Sequence, residues 1–466
     1  MSFSDSYRDS LYNTDTSGRR IGFFPKRPKG RFYNQRKVVS TILLIFFFGL
    51  PWIKWNGDPF VMLNVIERKF IVFGFAFYPQ DFLLLALLVV GLFFFIFAFT
   101  SVLGRIWCGW GCPQTIFLEM VYRRIEYWIE GDSIAQRKLS KAPWTGKKVW
   151  KRTLKHTIFA LIALAVSHTV IGFVVSMDTI IENYQQPFAE NLIFWVVVAI
   201  NAGAFYFVFS WFREQACIFI CPYGRLQGVL LNNKSLVISY DHVRGEPRGK
   251  LKKQATNPDQ GDCIDCKACV AVCPTGIDIR NGTQLECVNC TACIDACDDI
   301  MDKVNKPRGL VRYASQEMIE TGKKFKVTTQ AYVYAAGLTA IMVAFFVFLS
   351  NSGDLHTKLL RARGQTYTMT SEGNVTNLYD ISVTNKSKKD RNLDFRLADG
   401  TKGELLLIGS QDLTLDLPAD GLSEGKLLVE LPPESLQGLS FEIEIEILED
   451  DKVVETVTTK FNGPML

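Results

Sequence analysis

Eight cysteines form two similar runs, Cys263-x-x-Cys266-x-x-Cys269-x-x-x-Cys273-Pro274 and Cys287-x-x-Cys290-x-x-Cys293-x-x-x-Cys297. A cubane iron–sulfur cluster requires four converging thiolates, and a tight loop with a thiol at every third residue supplies three of them. In two-cluster ferredoxins the last cysteine of each run serves the other cluster. The spacing therefore predicts two 4Fe-4S clusters, one held by Cys263, Cys266, Cys269 and Cys297, the other by Cys287, Cys290, Cys293 and Cys273. Structural zinc is the competing chemistry, but zinc sites normally use separated Cys-x-x-Cys pairs. Two features depart from a ferredoxin. Asp298 and Asp299 follow Cys297 where proline is usual, and only thirteen residues separate Cys273 from Cys287. Carboxylates beside a cluster disfavour an added electron, so the cluster that includes Cys297 is expected to have the lower potential.

The other four cysteines occur in a second repeated pattern, Trp107-Cys108-Gly-Trp-Gly-Cys112-Pro113 and Cys217-Ile-Phe-Ile-Cys221-Pro222. In a helix, residues i and i+4 share a face, so each pair could present two soft sulfurs to one ion, and soft thiolates select Cu(I). Proline cannot continue a helix cleanly, which opens room for a ligand or for electron transfer. Two other uses remain open for these thiols: small apolar side chains buried in a membrane, or a redox-active disulfide. His168 lies in an apolar stretch and is read as a ring bonded to a neighbouring helix rather than as a ligand. Met177 is read as packing, and Trp107, Trp110 and Trp144 as interfacial anchors. His156, His242 and His356 carry no motif. The sequence contains no phosphate-binding loop, zinc-protease helix, nucleophile elbow or dinucleotide fingerprint, which leaves electron transfer as the chemistry.

The thiols must be positioned by a membrane framework. Of 466 residues, 48% are hydrophobic and 13% aromatic, which excludes a disordered chain, while 21% charged residues confine the apolar excess to blocks. Five blocks approach the roughly 20 residues that a spanning helix needs: Val38 to Trp55, Phe82 to Leu103, Thr157 to Met177, Leu192 to Phe212 and Ala331 to Leu349. The first is the least clean, with Pro51 and Lys54 near its end. The stretch from Phe70 to Tyr78, preceded by Glu67, Arg68 and Lys69, is too short to span and reads as an interfacial piece or a strand. A cleaved signal peptide is not expected, because the basic N-terminal region is long and no small-residue cleavage pattern follows it.

The net charge of +5 is too small to imply a nucleic-acid partner, and the basic residues flank the apolar blocks. Arg19, Arg20, Lys26, Arg27, Lys29, Arg31, Arg36 and Lys37 crowd the N-terminus, and the connection after the second block is equally basic from Arg123 to Lys155. The 178–191 connection has no Lys or Arg and carries Asp178, Glu182 and Glu190. Basic loops stay inside, so the N-terminus and 213–330 are expected in the cytoplasm and the tail after Leu349 outside. All twelve cysteines then belong to a reducing, metal-binding side. From about Gly364 the chain alternates in strand period, as in 377–384, 403–408 and 439–447, with turns at Asp399-Gly400 and Asp420-Gly421, which predicts a small β-sandwich with an acidic, solvated surface.

With the residues 107–114 and 217–224, the double cysteine run, the paired spans and this tail, the chain resembles the accessory proteins of cbb3-type cytochrome c oxidase, the CcoG/FixG/RdxA family, over nearly its whole length. The resemblance implies a multi-domain integral membrane protein. Its parts would be a basic cytoplasmic N-terminus (1–37), four transmembrane helices with both Cys-x-x-x-Cys-Pro motifs (38–230), an inserted cytoplasmic ferredoxin-like domain (231–328), a fifth transmembrane helix (329–350) and a periplasmic immunoglobulin-like β-sandwich (351–466). It implies an enzyme of the bacterial inner membrane that reduces Cu(II) to Cu(I) in support of oxidase assembly. Copper would be substrate or bound ion, and Cys108, Cys112, Cys217 and Cys221 would be its catalytic or relay residues. Implied partners are membrane lipid, copper chaperones, a copper-transporting ATPase or oxidase subunits, an electron donor, and a second copy of the chain in a homodimer. Two competing readings are a quinol dehydrogenase-like electron-transfer subunit, because the four-span portion is also similar to a membrane subunit of nitrate-reductase maturation and electron supply, and a non-catalytic scaffold whose outer domain docks an oxidase subunit or chaperone.

Overall fold

A computed structural model describes residues 22–464 except 56, 67, 79–81, 251–259, 351–354, 363–365, 372, 388, 399–400, 410–412, 420 and 437. Arg19, Arg20, Glu67, the Gly364 start of the tail, the Asp399-Gly400 turn and Asp420 lie outside the described residues. The chain divides into two compact units at Phe345/Phe346.

In the first unit and at its edge, four helices among the described residues are long and apolar enough to cross a membrane: Leu83–Leu103, Gly146–Val175, Leu192–Phe212 and Thr329–Ser350. The expected first span is corrected. Its helix runs Arg31–Gly49 and stops where Gly49 and Pro51 intervene, a single 3-10 turn follows at Leu50–Trp52, and Lys54–Trp55 pairs as a strand with Asp58–Pro59. Three cations, Arg31, Arg36 and Lys37, occupy its first two turns, so its apolar stretch is shorter than that of the other four. The third helix begins earlier than its apolar residues suggest, because Thr145 caps it by accepting from the Lys148 N–H at 3.4 Å. The stretch expected to be interfacial or strand forms Lys69–Val72 and Phe75–Phe77, joined antiparallel to Val61–Asn64. His168 behaves as expected, with Nδ1 2.8 Å from the Leu164 carbonyl and Nε2 2.6 Å from the Tyr184 hydroxyl. Met177 packs against a cluster of Ile171, Ile180 and Val198.

The cysteine-rich insert is closed at its root by an antiparallel pair, Val237–Tyr240 with Val311–Ala314, which brings its two ends together. Between them stand the helices Ala268–Ala271 and Ala292–Lys303. Ile238, Tyr240, Ile279, Met301 and Leu310 pack with Cys263, Cys269, Cys293 and Cys297 in one core, so the thiols themselves are part of the interior.

The second unit is the expected β-sandwich. One sheet orders Glu404–Ile408, Leu422–Leu431, Val375–Asn385 and Leu355–Arg361, with Thr368–Met369 added to Val375–Asn385; the other orders Thr414–Leu417, Arg391–Leu397, Ser440–Glu449 and Lys452–Asn462. The period of two explains the burial: Ile443, Ile445 and Ile447 are buried, while on the opposite face Glu442 and Glu444 are exposed and Glu446 is half-buried. Asn377 ties the sheets by donating to the Asn462 carbonyl at 2.8 Å, and the Tyr379 hydroxyl donates to the Lys460 carbonyl at 3.0 Å.

Candidate metal centres

The two cysteine runs build two cavities. One is lined by Cys263, Cys266, Cys269 and Cys297 with Tyr240, Arg280 and Met301. The other is lined by Cys273, Cys287, Cys290 and Cys293, with Cys269 and Ile238 at its edge. The last cysteine of each run thus faces the cavity of the other run, as the crossed ligand pattern requires. The two loops repeat one backbone device: the residues before and after the second cysteine of each run have left-handed φ, 51° and 58° at Asp265 and Lys267, 52° and 65° at Asn289 and Thr291. Non-glycine residues there cost about 1–3 kcal/mol each, so the same strain at the same offsets in both runs marks a loop shaped around a ligand. Burial pushes the thiols of Cys269, Cys287 and Cys297 up to about 12 and that of Cys290 up to about 11. Such buried thiols become thiolates when a cation takes the proton's place. Paired thiol sets, cavities and repeated loop strain all fit two 4Fe-4S clusters.

The two cradles differ in surroundings. The first has one exposed thiol, Cys266, beside three buried ones, whereas the second has none exposed: Cys290 and Cys293 are buried and Cys273 and Cys287 half-buried. Beside the first cradle, Arg280 is held by Asp265 at 2.6 Å and by Asp278 at 2.8 and 2.6 Å. Asp298 accepts from the Gly309 N–H at 3.0 Å, and Asp299 meets Lys303 at 2.5 Å in solvent.

The Cys-x-x-x-Cys-Pro repeats have a geometry that helical spacing does not suggest. Cys108 lies in the short helix Ile106–Trp110, while Cys112 is extended (ψ 124°) and caps a new helix that starts at Pro113. Cys217 lies in the wide turn Ala216–Ile220, and Cys221 (ψ 110°) caps the helix that starts at Pro222. The shared-face i, i+4 reading is therefore corrected: proline opens the next helix at its first position, where its missing N–H costs nothing. In both copies the residue four before the first cysteine has positive φ, 55° at Gly104 and 53° at Arg213. The repeat is thus structural as well as sequential, and no disulfide joins any of the twelve cysteines.

The first motif lies directly on the second cradle. A Cβ on Gly109 would stand 2.6 Å from the carbonyl oxygens of both Val288 and Asn289. Cys108 packs against the cluster of Val272, Val288, Cys290 and Ala292. Arg36, 3% exposed, donates from Nε to the Gly109 carbonyl and from Nη1 to the Cys290 carbonyl, both at 3.0 Å. Arg105 donates to the carbonyls of Leu285 and Gly224, and Cys287 O is 3.4 Å away. On the other side Arg123 donates to Glu214 and, at 3.4 Å, to the Pro274 carbonyl. Asp295 of the insert caps the Arg31–Gly49 helix, accepting from the N–H groups of Phe32 at 3.1 Å and Tyr33 at 2.8 Å.

Comparison with known proteins follows this division. A family described as a 4Fe-4S dicluster domain matches residues 212–316, one described as a 4Fe-4S binding domain matches 85–141, and one described as the IG-like fold at the C-terminal of FixG matches 345–464. Protein RdxB of Cereibacter sphaeroides is 32% identical over 435 residues, covering 90% of this chain and 90% of the relative. Protein RdxA of the same organism is 33% identical over 435 residues, covering 89% and 90%. The chain belongs to the CcoG/FixG/RdxA family. The nitrogen fixation protein FixG of Rhizobium meliloti is 36% identical over 304 residues, 64% of this chain and 58% of that protein. This FixG/RdxA relative is an iron–sulfur electron-transfer protein with membrane helices and a C-terminal immunoglobulin-like domain.

Sequence reasoning did not single out Arg36, Arg105, Gln227, Asn289 or Asp295 as site residues. The readable signal for the two arginines was a cation on an apolar segment, which is costly unless it is partnered. Asn289 lies between cysteines and has the side chain most tolerant of left-handed φ. Gln227 and Asp295 carried no signal, because their partners are distant in the chain.

Proposed function

We propose that this protein moves electrons from a cytoplasmic donor to Cu(II) and releases Cu(I) in support of cbb3-type oxidase assembly. The observation that carries the reading is the direct seating of the Cys108 turn on the loop that holds Cys287 and Cys290, bridged by Arg36. Clusters in the two cradles would supply one-electron carriers. The chain's own residues expose one cradle at Cys266, bury the other, and place soft thiols beside the buried one. Cys108, Cys112, Cys217 and Cys221 act at the copper end, as ligands or as relay, and copper is the substrate.

The proposed setting is a bacterial inner membrane with the Arg31–Gly49 helix as a fifth membrane helix, the N-terminus and insert in the cytoplasm, and the β-sandwich in the periplasm. Copper chaperones, a copper-transporting ATPase or oxidase subunits are the proposed partners, and the chain is proposed to act as a homodimer. The test is the double variant Cys108→Ser, Cys112→Ser. It should retain the two ferredoxin-type cluster signals and lose Cu(II) reduction; reduction at the parental rate would overturn the role given to these thiols. A requirement for a quinol donor in the same assay would favour the quinol dehydrogenase reading, and redox-silent clusters the scaffold.

A further inference from the structure

We infer that Cys108, Cys112, Cys217 and Cys221 together hold a third 4Fe-4S cluster, two thiolates coming from each copy of the repeat. The inference deepens the proposed function, on which it rests for the place of these thiols in the path, and makes them relay rather than copper ligands.

Four observations converge. The two repeats are joined side by side: Cys108 Sγ donates at 3.4 Å to Gln227 on the Pro222–Leu230 helix that Cys221 caps, Arg105 donates to the Gly224 carbonyl of the same helix, and Gln114, two residues after Cys112, donates from Nε2 to the carbonyl of Arg213, four residues before Cys217, at 3.3 Å. Second, no three His, Cys, Asp or Glu side chains among the described residues approach closely enough to hold a single metal ion, and this is as true of the two ferredoxin cradles as of the membrane-proximal set. One Cu(I) would draw its thiolates into contact around a single atom, whereas a cubane keeps them apart on its outer corners.

Third, two buried donors beside the thiols lack partners among the described residues. Gln227 is 0% exposed; its Oε1 accepts from Cys108 Sγ at 3.4 Å, while its Nε2 has no hydrogen-bond partner. Arg105, three residues before Cys108, is 6% exposed and its Nε is likewise unpartnered among the described residues. Unmet buried N–H groups are costly, and sulfide and thiolate sulfurs of an anionic cluster are acceptors that would satisfy them. Fourth, the segment matched by the 4Fe-4S binding family, 85–141, contains only two cysteines, Cys108 and Cys112. A cluster there needs two further thiolates, and Cys217 and Cys221 are in reach.

The experiment is iron and acid-labile sulfide analysis with Mössbauer spectroscopy on the anaerobically purified full chain, without added copper. About twelve irons per chain are expected, against about eight for two clusters alone. The variant Cys217→Ser, Cys221→Ser should fall to about eight and lose one cluster species. Gln227→Leu should keep about twelve while lowering one cluster potential only. A parental protein with about eight irons overturns the inference whatever the variants do. Because the count involves no copper, twelve irons without Cu(II) reduction would sink the proposed function alone, and eight irons with reduction would sink this inference alone.

Discussion

Replacing Glu126 with Gln should loosen the junction between the membrane helices and the cysteine motifs. Glu126 is 5% exposed; Arg213 donates to its two oxygens at 2.9 and 2.8 Å, and Lys155 stands 3.6 Å away. Burial alone would raise its carboxyl, but attraction to Arg213, Lys155 and Arg123 outweighs it and holds the group at about 2, below the ordinary 4.5. At about 1.4 kcal/mol per unit this is worth about 3 kcal/mol. A folded-state value below the unfolded one gives stability that is fully present above pH 4.5 and is lost as pH falls toward 2. Removing the charge leaves buried cations short of a partner, a loss of about 3–5 kcal/mol. Arg213 carries the positive φ that leads into the Cys217 turn, so this motif should loosen first. Thermal unfolding of the detergent-solubilised protein should show a lower midpoint for Glu126→Gln, by an equal amount from pH 8 to pH 5, with the gap narrowing only in more acidic buffer. Equal midpoints at pH 7, or a gap that closes as pH rises, would refute the reasoning.

Gly109→Ala should force the Cys108 turn off the second cradle, because both atoms in its way are backbone carbonyls; overpacking of this kind costs about 1–3 kcal/mol. Gly203→Ala, with nothing among the described residues within 4 Å of the new carbon, serves as the control and should leave the midpoint unchanged or raised, and equal behaviour of the two variants would refute the close contact. Asp295→Ala removes the cap of the first helix and should cost about 0.5–2 kcal/mol in unfolding experiments, with Asp295→Asn recovering most of it. Cys297→Ser should alter the EPR signal of the solvent-facing cluster and Cys273→Ser that of the buried one; if each altered the signal of its own run, the crossed ligand pattern would be wrong.

Local patterns carried most of the architecture. The apolar blocks from Phe82 and Leu192 became helices with the expected starts, and the alternating 439–447 run became Ser440–Glu449, because burial follows residue period within one element. The first span was misjudged because its hydropathy runs on through Pro51 while the helix stops before it. The grouping of Cys297 with Cys263, Cys266 and Cys269 around one cavity, and of Cys273 with the second run around the other, was legible, since it follows from loop spacing. The geometry of the membrane-proximal thiols was not: helical spacing says nothing of a helix that ends between Cys108 and Cys112 and restarts at Pro113. Nor could the sequence place Arg36 against the Cys290 carbonyl or Asp295 under Tyr33, contacts between residues more than 250 positions apart.

The central claim is electron delivery to copper, and the most direct measurement follows both partners at once. The full-length protein is chemically reduced under anaerobic conditions, freed of excess reductant and mixed with Cu(II) and a Cu(I)-selective chelator while cluster absorbance is recorded. The account predicts Cu(I)–chelator formation in step with cluster reoxidation, one ion per electron lost. Clusters that stay reduced while no Cu(I) forms would contradict it.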